Sequence, residues 1–455
     1  MERHRLEYEL VYFYPPAQTL RLATESDLLA DSLSSQSMSS HSRSLYLHLP
    51  FCTGKCAYCH YVTFNRQSSE AVDSYLRLLR MELRSVADRI LGEEADVSCI
   101  HVGGGTPTYL ASQQIRGLMS FLRQVVNISQ GAEITWESSP ETILETGDSK
   151  IAALLESGVN RLNIGIQAFQ DNLLRVLGRR HSAKEAAQAI KLARTGGFQN
   201  INVDLMFGLP DQTMTDWLQT LATVGELKPE SVTVYQLRIK QRTAISRVPF
   251  SRLPHQDACL EMASAALEAL QRFGHTPVQP NQFVLHRRFS HRYVEEKWER
   301  PGEVVGVGVS AYSFVRDWFY FNATSLAEYR ALVESNRLPI ALGRRLSEAQ
   351  QMAKFMVLGI KMLPGGVSKE AFRNRFGRTV DEQFGSALRK LDAAGLIRSD
   401  AERVILTPPG ILFADEVCVE FYAEEDKERL RAAGASRYGS YLVPPVSVPA
   451  ASREP

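Results

Sequence analysis

LYLHLPFCTGKCAYCHY, residues 45–61, sets an apolar run directly against a loop with three cysteines, Cys52, Cys56 and Cys59, spaced CxxxCxxC. A cubane [4Fe-4S] cluster takes four ligands, so three neighbouring thiols hold three irons and leave the fourth with a site that a substrate can chelate. Zinc is the alternative, but it closes a tetrahedron with four ligands, commonly from two paired hooks. No second hook follows. Cys99, Cys259 and Cys418 stand singly among apolar residues, where a thiol packs as a small hydrophobe. His60 adjoins Cys59, and consecutive side chains seldom converge on one small ion. The residues favour the cluster.

Outward from that loop, residues 44–49 form the first of six short β-branched or apolar runs; the others are 97–102, 132–137, 160–166, 199–206 and 231–236. Between them lie amphipathic stretches, Val72–Ala87, Gln114–Val126, Ser149–Glu156, Ala183–Thr195 and Met214–Val224, each long enough for a crossover helix. The alternation predicts an α/β fold with a parallel sheet, either doubly wound or an incomplete barrel. In both, ligands gather at the carboxyl ends of the strands. The cysteines follow the first run, GGGTPT (103–108) the second, Glu137 ends the third, and Gln167 lies just past the fourth. Three glycines let a backbone approach a ligand and turn amide N–H groups toward an anion.

After about residue 340 the pattern becomes helical (Ser347–Lys361, Ser368–Phe376, Thr379–Ala394) and then GLIRSDAERVILT, two short strands around a polar turn. This predicts a winged-helix-like unit with a structural or lid role. The expected domains are an N-terminal extension with a Ser-rich linker (1–43), the barrel (44–275), a connecting segment completing the core (276–345), the C-terminal domain (346–431) and a flexible tail (432–455).

At 455 residues the chain exceeds one hydrophobic core. Its 52 basic and 51 acidic residues leave a net charge of +1, so no broad field holds a polyanion or an anionic membrane, and neither nucleic acid nor a membrane is expected as a partner. The N-terminus is charged and aromatic where a signal peptide needs an apolar stretch, and six cysteines are too few for a disulfide scaffold. The expected location is cytoplasmic.

Several motifs, in order, resemble the HemN-like (oxygen-independent coproporphyrinogen III oxidase-like) family of radical S-adenosylmethionine (SAM) proteins. They are LYLHLPFC (45–52), GGGTPT, GVNRLNIGIQAF (158–169), VDLMFGLPDQT (203–213), VYQLRI (234–239), GVGVSAYS (306–313) and the C-terminal ILTPPGILF (405–413). The resemblance implies a partial (β/α)6 radical SAM barrel with a C-terminal helical domain, a [4Fe-4S] cluster on Cys52, Cys56 and Cys59, and two SAM molecules. It also implies an electron donor of the flavodoxin or ferredoxin type. Tyr46, Gly104, Gly105, Thr106 and Glu137 match SAM-contact positions, and Tyr58 matches an aromatic residue that lies against a SAM adenine. Gln167, Arg179 and Asp204 match residues holding the second SAM, with Gln167 and Arg179 as the catalytic candidates. Each has a plainer reading: Tyr46 as core, Glu137 as an ion-pair partner, Arg179 as a surface charge.

The chain departs from the family at informative places. Coproporphyrinogen oxidases have a further cysteine two residues after the third, where this chain has Tyr61. The heme-chaperone branch has HNxxYW, where residues 290–298 read SHRYVEEKW. Arg238 stands near a small residue of the oxidases, which would alter the second-SAM or substrate pocket. YELVYFYPPAQTLRL (8–22) is similar to extensions in branches that degrade heme, transfer methyl groups or form cyclopropanes. The resulting expectation is a methyltransferase or cyclopropanase. It would move a SAM-derived methylene to an sp2 carbon of a small-molecule or carrier-bound natural product. Anaerobic tetrapyrrole chemistry (decarboxylation or heme degradation) and a non-catalytic heme chaperone are the alternatives.

Overall fold

Alternating side chains explain the sheet. In the first strand Leu45, Leu47 and Leu49 face one way into a core with Ile100, Val102, Ile134, Trp136, Leu162 and Ile164 of the following strands. The intervening positions carry Tyr46 and His48, then Glu133, Thr135, Asn163, Asn202 and Thr233, all buried and polar or amphipathic. One face is thus oil under helices and the other a polar interior, which is the pattern of a barrel wall. The computed structural model describes residues 13–32, 43–92, 95–240, 243–298 and 302–432.

Seven strands run parallel: β1 (Arg43–Leu49), β2 (Asp96–Gly104), β3 (Asn127–Ser138), β4 (Arg161–Gln167), β5 (Ile201–Phe207), β6 (Ser231–Gln236) and β7 (Glu303–Val307). Their order is β7-β1-β2-β3-β4-β5-β6. Because β1 to β6 are sequential, no topological switch point exists; the doubly wound alternative is excluded and the sheet curls as an incomplete barrel. It does not close. Beyond β6 comes the hairpin Thr276–Gln279 and Gln282–Val284; beyond β7 come Tyr312–Val315, Trp318–Asn322 and Ile340–Arg345, all antiparallel.

The crossover helices start where side chains cap them. Ser68 accepts from Ala71 N–H ahead of Ser69–Val86, and Ser182 with Glu185 forms a capping box ahead of Ala183–Thr195. On the first of these, Val72, Tyr75, Leu76, Leu79, Leu83 and Val86 recur at helical spacing and are buried. From the same helix, buried Glu82 accepts hydrogen bonds from Gly308 N–H (2.7 Å), Asn322 Nδ2 (2.6 Å) and Tyr329 O–H (2.6 Å), fastening the segment after β7 to the barrel. No helix among the described residues is long and apolar enough to cross a membrane.

The C-terminal domain has helices Glu348–Gly359, Lys369–Phe376 and Val380–Ala393, with a small sheet of Val367–Ser368, Arg403–Leu406 and Ile397–Ser399, around its own core. The N-terminal extension is more than linker. Arg21–Leu22 pairs with Gly343 and Leu342, a helix covers Glu25–Ser32, and Tyr14 is fully buried with its O–H donated to Asp426. A two-residue strand and one aromatic anchor have no periodicity for a sequence to reveal. The Ser-rich residues 33–42 and the expected flexible tail, residues 433–455, lie outside the described residues.

Asp426 also takes Arg344 Nη1 at 2.7 Å and Gln350 Nε2 at 2.9 Å, so one buried carboxylate joins the sheet edge, the extension and the C-terminal domain. Asp426→Asn, leaving the buried guanidinium poorly paired, should cost about 3–5 kcal/mol. Tyr14→Phe should cost about 1 kcal/mol. Shifts in denaturant midpoint check both.

Candidate active site

The three thiols sit on the loop that leaves β1. Its turn is held by Cys59 N–H to the Cys56 carbonyl (3.2 Å), and the loop is seated by Ala57 N–H on the Leu177 carbonyl (2.8 Å) and Ile245 N–H on the Ala57 carbonyl (2.9 Å). Gly178, at φ +70°, has the Ala57 amide 3.3 Å from where a Cβ would stand, so this turn accepts only glycine without strain. Burial pushes the Cys52 thiol up to about 12, against the hydrogen bond with Thr106 Oγ1 (3.7 Å); burial also raises Cys59. Thiols like these lose their protons when metal binds. Cys99, Cys259 and Cys418 are buried and in no disulfide, as their apolar flanks predict. Among the described residues no three His, Cys, Asp or Glu side chains converge on a single metal ion.

The glycine turn at the end of β2 is built around Glu137. Its Oε2 accepts Gly104 N–H at 3.1 Å, and its Oε1 lies 3.0 Å from His101 Nε2. Gly104 has φ +110°, and a Cβ there would come within 2.7 Å of the His48 ring; one on Gly105 would meet the Phe51 carbonyl at 2.6 Å. Gly105 N–H and Thr106 N–H donate to Leu49 and Phe51 carbonyls, laying the turn against the cysteine loop. Tyr46 O–H is 2.9 Å from His48 Nδ1, and its ring stacks near His101. Burial lowers His48 to about 4.

Gln167 ends β4 at φ +75° beside a bulge, a left-handed conformation that non-glycine residues rarely adopt. Arg179 is no surface charge. Its Nη1 donates to Cys56 Sγ at 3.3 Å, its Nη2 bonds the Gly165 carbonyl, and its buried Nε has no partner among the described residues. Burial works against this cation, but Tyr58, Cys56 and Glu141 raise its pKa. Tyr58 packs with the apolar cluster around Leu173, Leu177 and Met206. Asp204, bonded by Asn202 Nδ2 at 2.7 Å, is pushed up to about 7 by burial and then by Glu137.

Several residues at this end escape a motif reading. His48 and His101 share their strands' interior faces with Tyr46 and Gly103, so period-two alternation was the available signal. Glu141 follows β3; burial alone would raise it, but His181 (3.3 Å) and Arg179 hold it at about 2. Thr53 Oγ1 reaches the same carboxylate at 3.3 Å. Arg238 lies 3.7 Å from Asp415 of the C-terminal domain. His291 is buried beside Thr135 (3.3 Å).

Residues 46–224 match the Radical SAM superfamily and residues 346–413 the HemN C-terminal domain. The heme chaperone HemW of Bacillus subtilis is 30% identical over 84% of this chain and 100% of its own length. The oxygen-independent coproporphyrinogen III oxidase of Synechocystis is 25% identical over 90% of this chain and 91% of its own. The structure of coproporphyrinogen III oxidase (HemN) from Escherichia coli, a radical SAM enzyme, superposes with a TM-score of 0.78 at 24% identity, covering 91% of this chain and 97% of that one.

Two predictions follow from the geometry. Glu137→Ala frees the Gly104 amide and the His101 ring but leaves the thiols untouched, so it should keep iron-sulfur absorption after anaerobic reconstitution and weaken SAM binding at least ~10-fold, at about 1.4 kcal/mol per decade. Equilibrium dialysis with labelled SAM checks this. Asp204 has a folded pKa raised above its ordinary value, so its favourable contribution is complete below pH ~4 and is lost as pH rises to ~7. Asp204→Asn should therefore gain stability relative to the parent across that window, read as Tm against pH.

Proposed function

The chain belongs to the HemN-like radical SAM family, and on that premise we propose that it generates a radical from SAM and takes a tetrapyrrole as substrate or cargo. Membership implies a [4Fe-4S] cluster and SAM, and the donor set fits: three thiols on one loop, a cramped glycine turn, and an Arg179 Nε with no partner among the described residues. When bound, these groups supply one-electron cleavage of SAM to a 5′-deoxyadenosyl radical. Cys52, Cys56 and Cys59 would hold three irons. Glu137, aligned by His101 and the Gly104 amide, would orient the ammonium of SAM, and Tyr58 would lie against its adenine. Arg179 offsets the negative charge that the thiols acquire. An electron donor of the flavodoxin or ferredoxin type would serve the loop.

The observation that carries radical chemistry is the Cys56–Arg179–Gly165 bridge, which holds a cluster loop against the strand ends. The tetrapyrrole rests on similarity to HemW along that protein's entire length and to coproporphyrinogen III oxidases. Both named relatives concern porphyrins, so this reading is preferred to natural-product methylation. A second reading, methylene transfer from a second SAM, is favoured by the strained Gln167, by the Arg179 Nε that has no partner among the described residues, and by Asp204 on the strand beside β4.

One experiment separates them. The reconstituted, reduced protein with methyl-deuterated SAM and either coproporphyrinogen III or heme should form 5′-deoxyadenosine without deuterium, with the tetrapyrrole either altered or bound near one per chain. Cys56→Ala should abolish both the iron-sulfur absorption and the deoxyadenosine. Deuterium in deoxyadenosine together with S-adenosylhomocysteine would establish the second reading. Stoichiometric zinc without an iron-sulfur chromophore would sink both.

A further inference from the structure

Five cations converge on a cavity of about 310 Å³ between the barrel and the C-terminal domain. Each comes from a different element. Lys297 is in the last turn of the helix Arg292–Trp298, and Arg316 is in the turn after Tyr312–Val315. Lys354, Arg375 and Arg403 come from Glu348–Gly359, Lys369–Phe376 and the strand Arg403–Leu406. Asp317 is the one acid in the lining. Trp298, Phe314, Phe355 and Leu358 supply apolar wall.

None of the five is ion-paired among the described residues. Lys297 Nζ donates to Tyr312 O–H (3.2 Å) and Arg403 Nη1 to the Gly365 carbonyl (2.7 Å), both neutral. Lys354 is 8% exposed, makes no hydrogen bond there, and has its ammonium over the Phe314 ring. Burial, then Arg375, depresses its pKa. Asp317 and Glu303 offset part of this charge, but five cations against the one acid of the lining leave an excess of buried positive charge, which is unfavourable until an anion enters.

The cavity is remote from the cysteine loop. Glu303, whose carboxylate accepts Arg316 N–H (2.8 Å), is level with Arg43 at the start of β1, whereas the loop leaves β1 after Leu49. At 3.3 Å per residue the two ends lie about 20 Å apart.

We propose that this cavity is a binding site for a small oxyanion, a carboxylate or phosphate borne on an aromatic or aliphatic body. The cations would hold the anionic head, Lys354 the deepest of them, and Trp298 and Phe355 would flank the body. The site is separate from radical chemistry and stands whichever reading of the strand-end site holds.

The test titrates the full-length protein with 1-naphthoate, 1-naphthyl phosphate and the neutral 1-naphthalenemethanol, by calorimetry and by thermal shift. At least one anion should bind 10-fold or more tightly than the alcohol, and the preferred head group identifies the source. Lys354→Met should raise the Tm of the free protein, lose at least 10-fold in anion affinity and leave deoxyadenosine formation unchanged. Arg375→Gln, on an exposed helix, should weaken the anions in the same direction and decides the matter if the Lys354 variant does not fold. Equal binding of alcohol and anions, undiminished anion binding in the variants, or no binding by any probe would overturn the proposal.

Discussion

Arg179 carries its charge inside the protein, between the Cys56 thiol at 3.3 Å and the carbonyl of Gly165. A guanidinium so placed is tolerable only where negative charge is available, and here that comes from Glu141 and from whatever charge the thiols take on. The same side chain fixes the distance between the cysteine loop and the end of β4. Through Glu141 it is coupled to His181 and Thr53, so loop, β3 and β4 are aligned by one electrostatic knot. Remove the cation and the stretch around Cys56 is located by the backbone contacts of Ala57 with Leu177 and Ile245, while Thr53 and Cys52 keep theirs to Glu141 and Thr106.

Around that knot the barrel separates two jobs. Its outer face is apolar and carries the stability; its inner face is polar from end to end, with Arg161 fully buried and bonded by Nη1 to Asn200 and the Phe289 carbonyl and by Nη2 to Ser231. The C-terminal domain is fastened to this barrel by carboxylates, Asp415, Glu425 and Asp426 among them. Asp415 takes Lys361 at 2.9 Å and faces Arg238 just beyond β6, while Asp426 gathers Arg344, Gln350 and Tyr14. The domain is thereby tied both to the mouth of the barrel and to its far edge.

The six parallel strands and their helices were legible because each is a β-branched run between amphipathic stretches, and the structure moves their ends by only a few residues. The cysteine loop was legible because its chemistry is local. Arg179 was named through the resemblance alone, and its contact with Cys56 was not legible, since GRR looks like a surface run until β4 and the loop are folded against it. The strands 312–322 escaped notice for another reason: aromatic residues on both faces of YSFVRDWFYFN blur the alternation. Substrate class was least accessible of all. The methylation reading leaned on motifs the chain lacks, whereas a substrate pocket is composed by side chains from many strands.

The open sheet sets a schedule for synthesis. β1 needs β7 on one flank, and β7 and the strands beyond it lie some 250 to 300 residues downstream. At 5–20 residues per second, about 15–60 s separate the emergence of β1 from that of the strand Ile340–Arg345. Until β7 emerges β1 offers a bare hydrogen-bonding edge, and throughout the interval Tyr14 waits for Asp426, which is made later still. The nascent chain is therefore a half-finished wall with its cysteine loop already made.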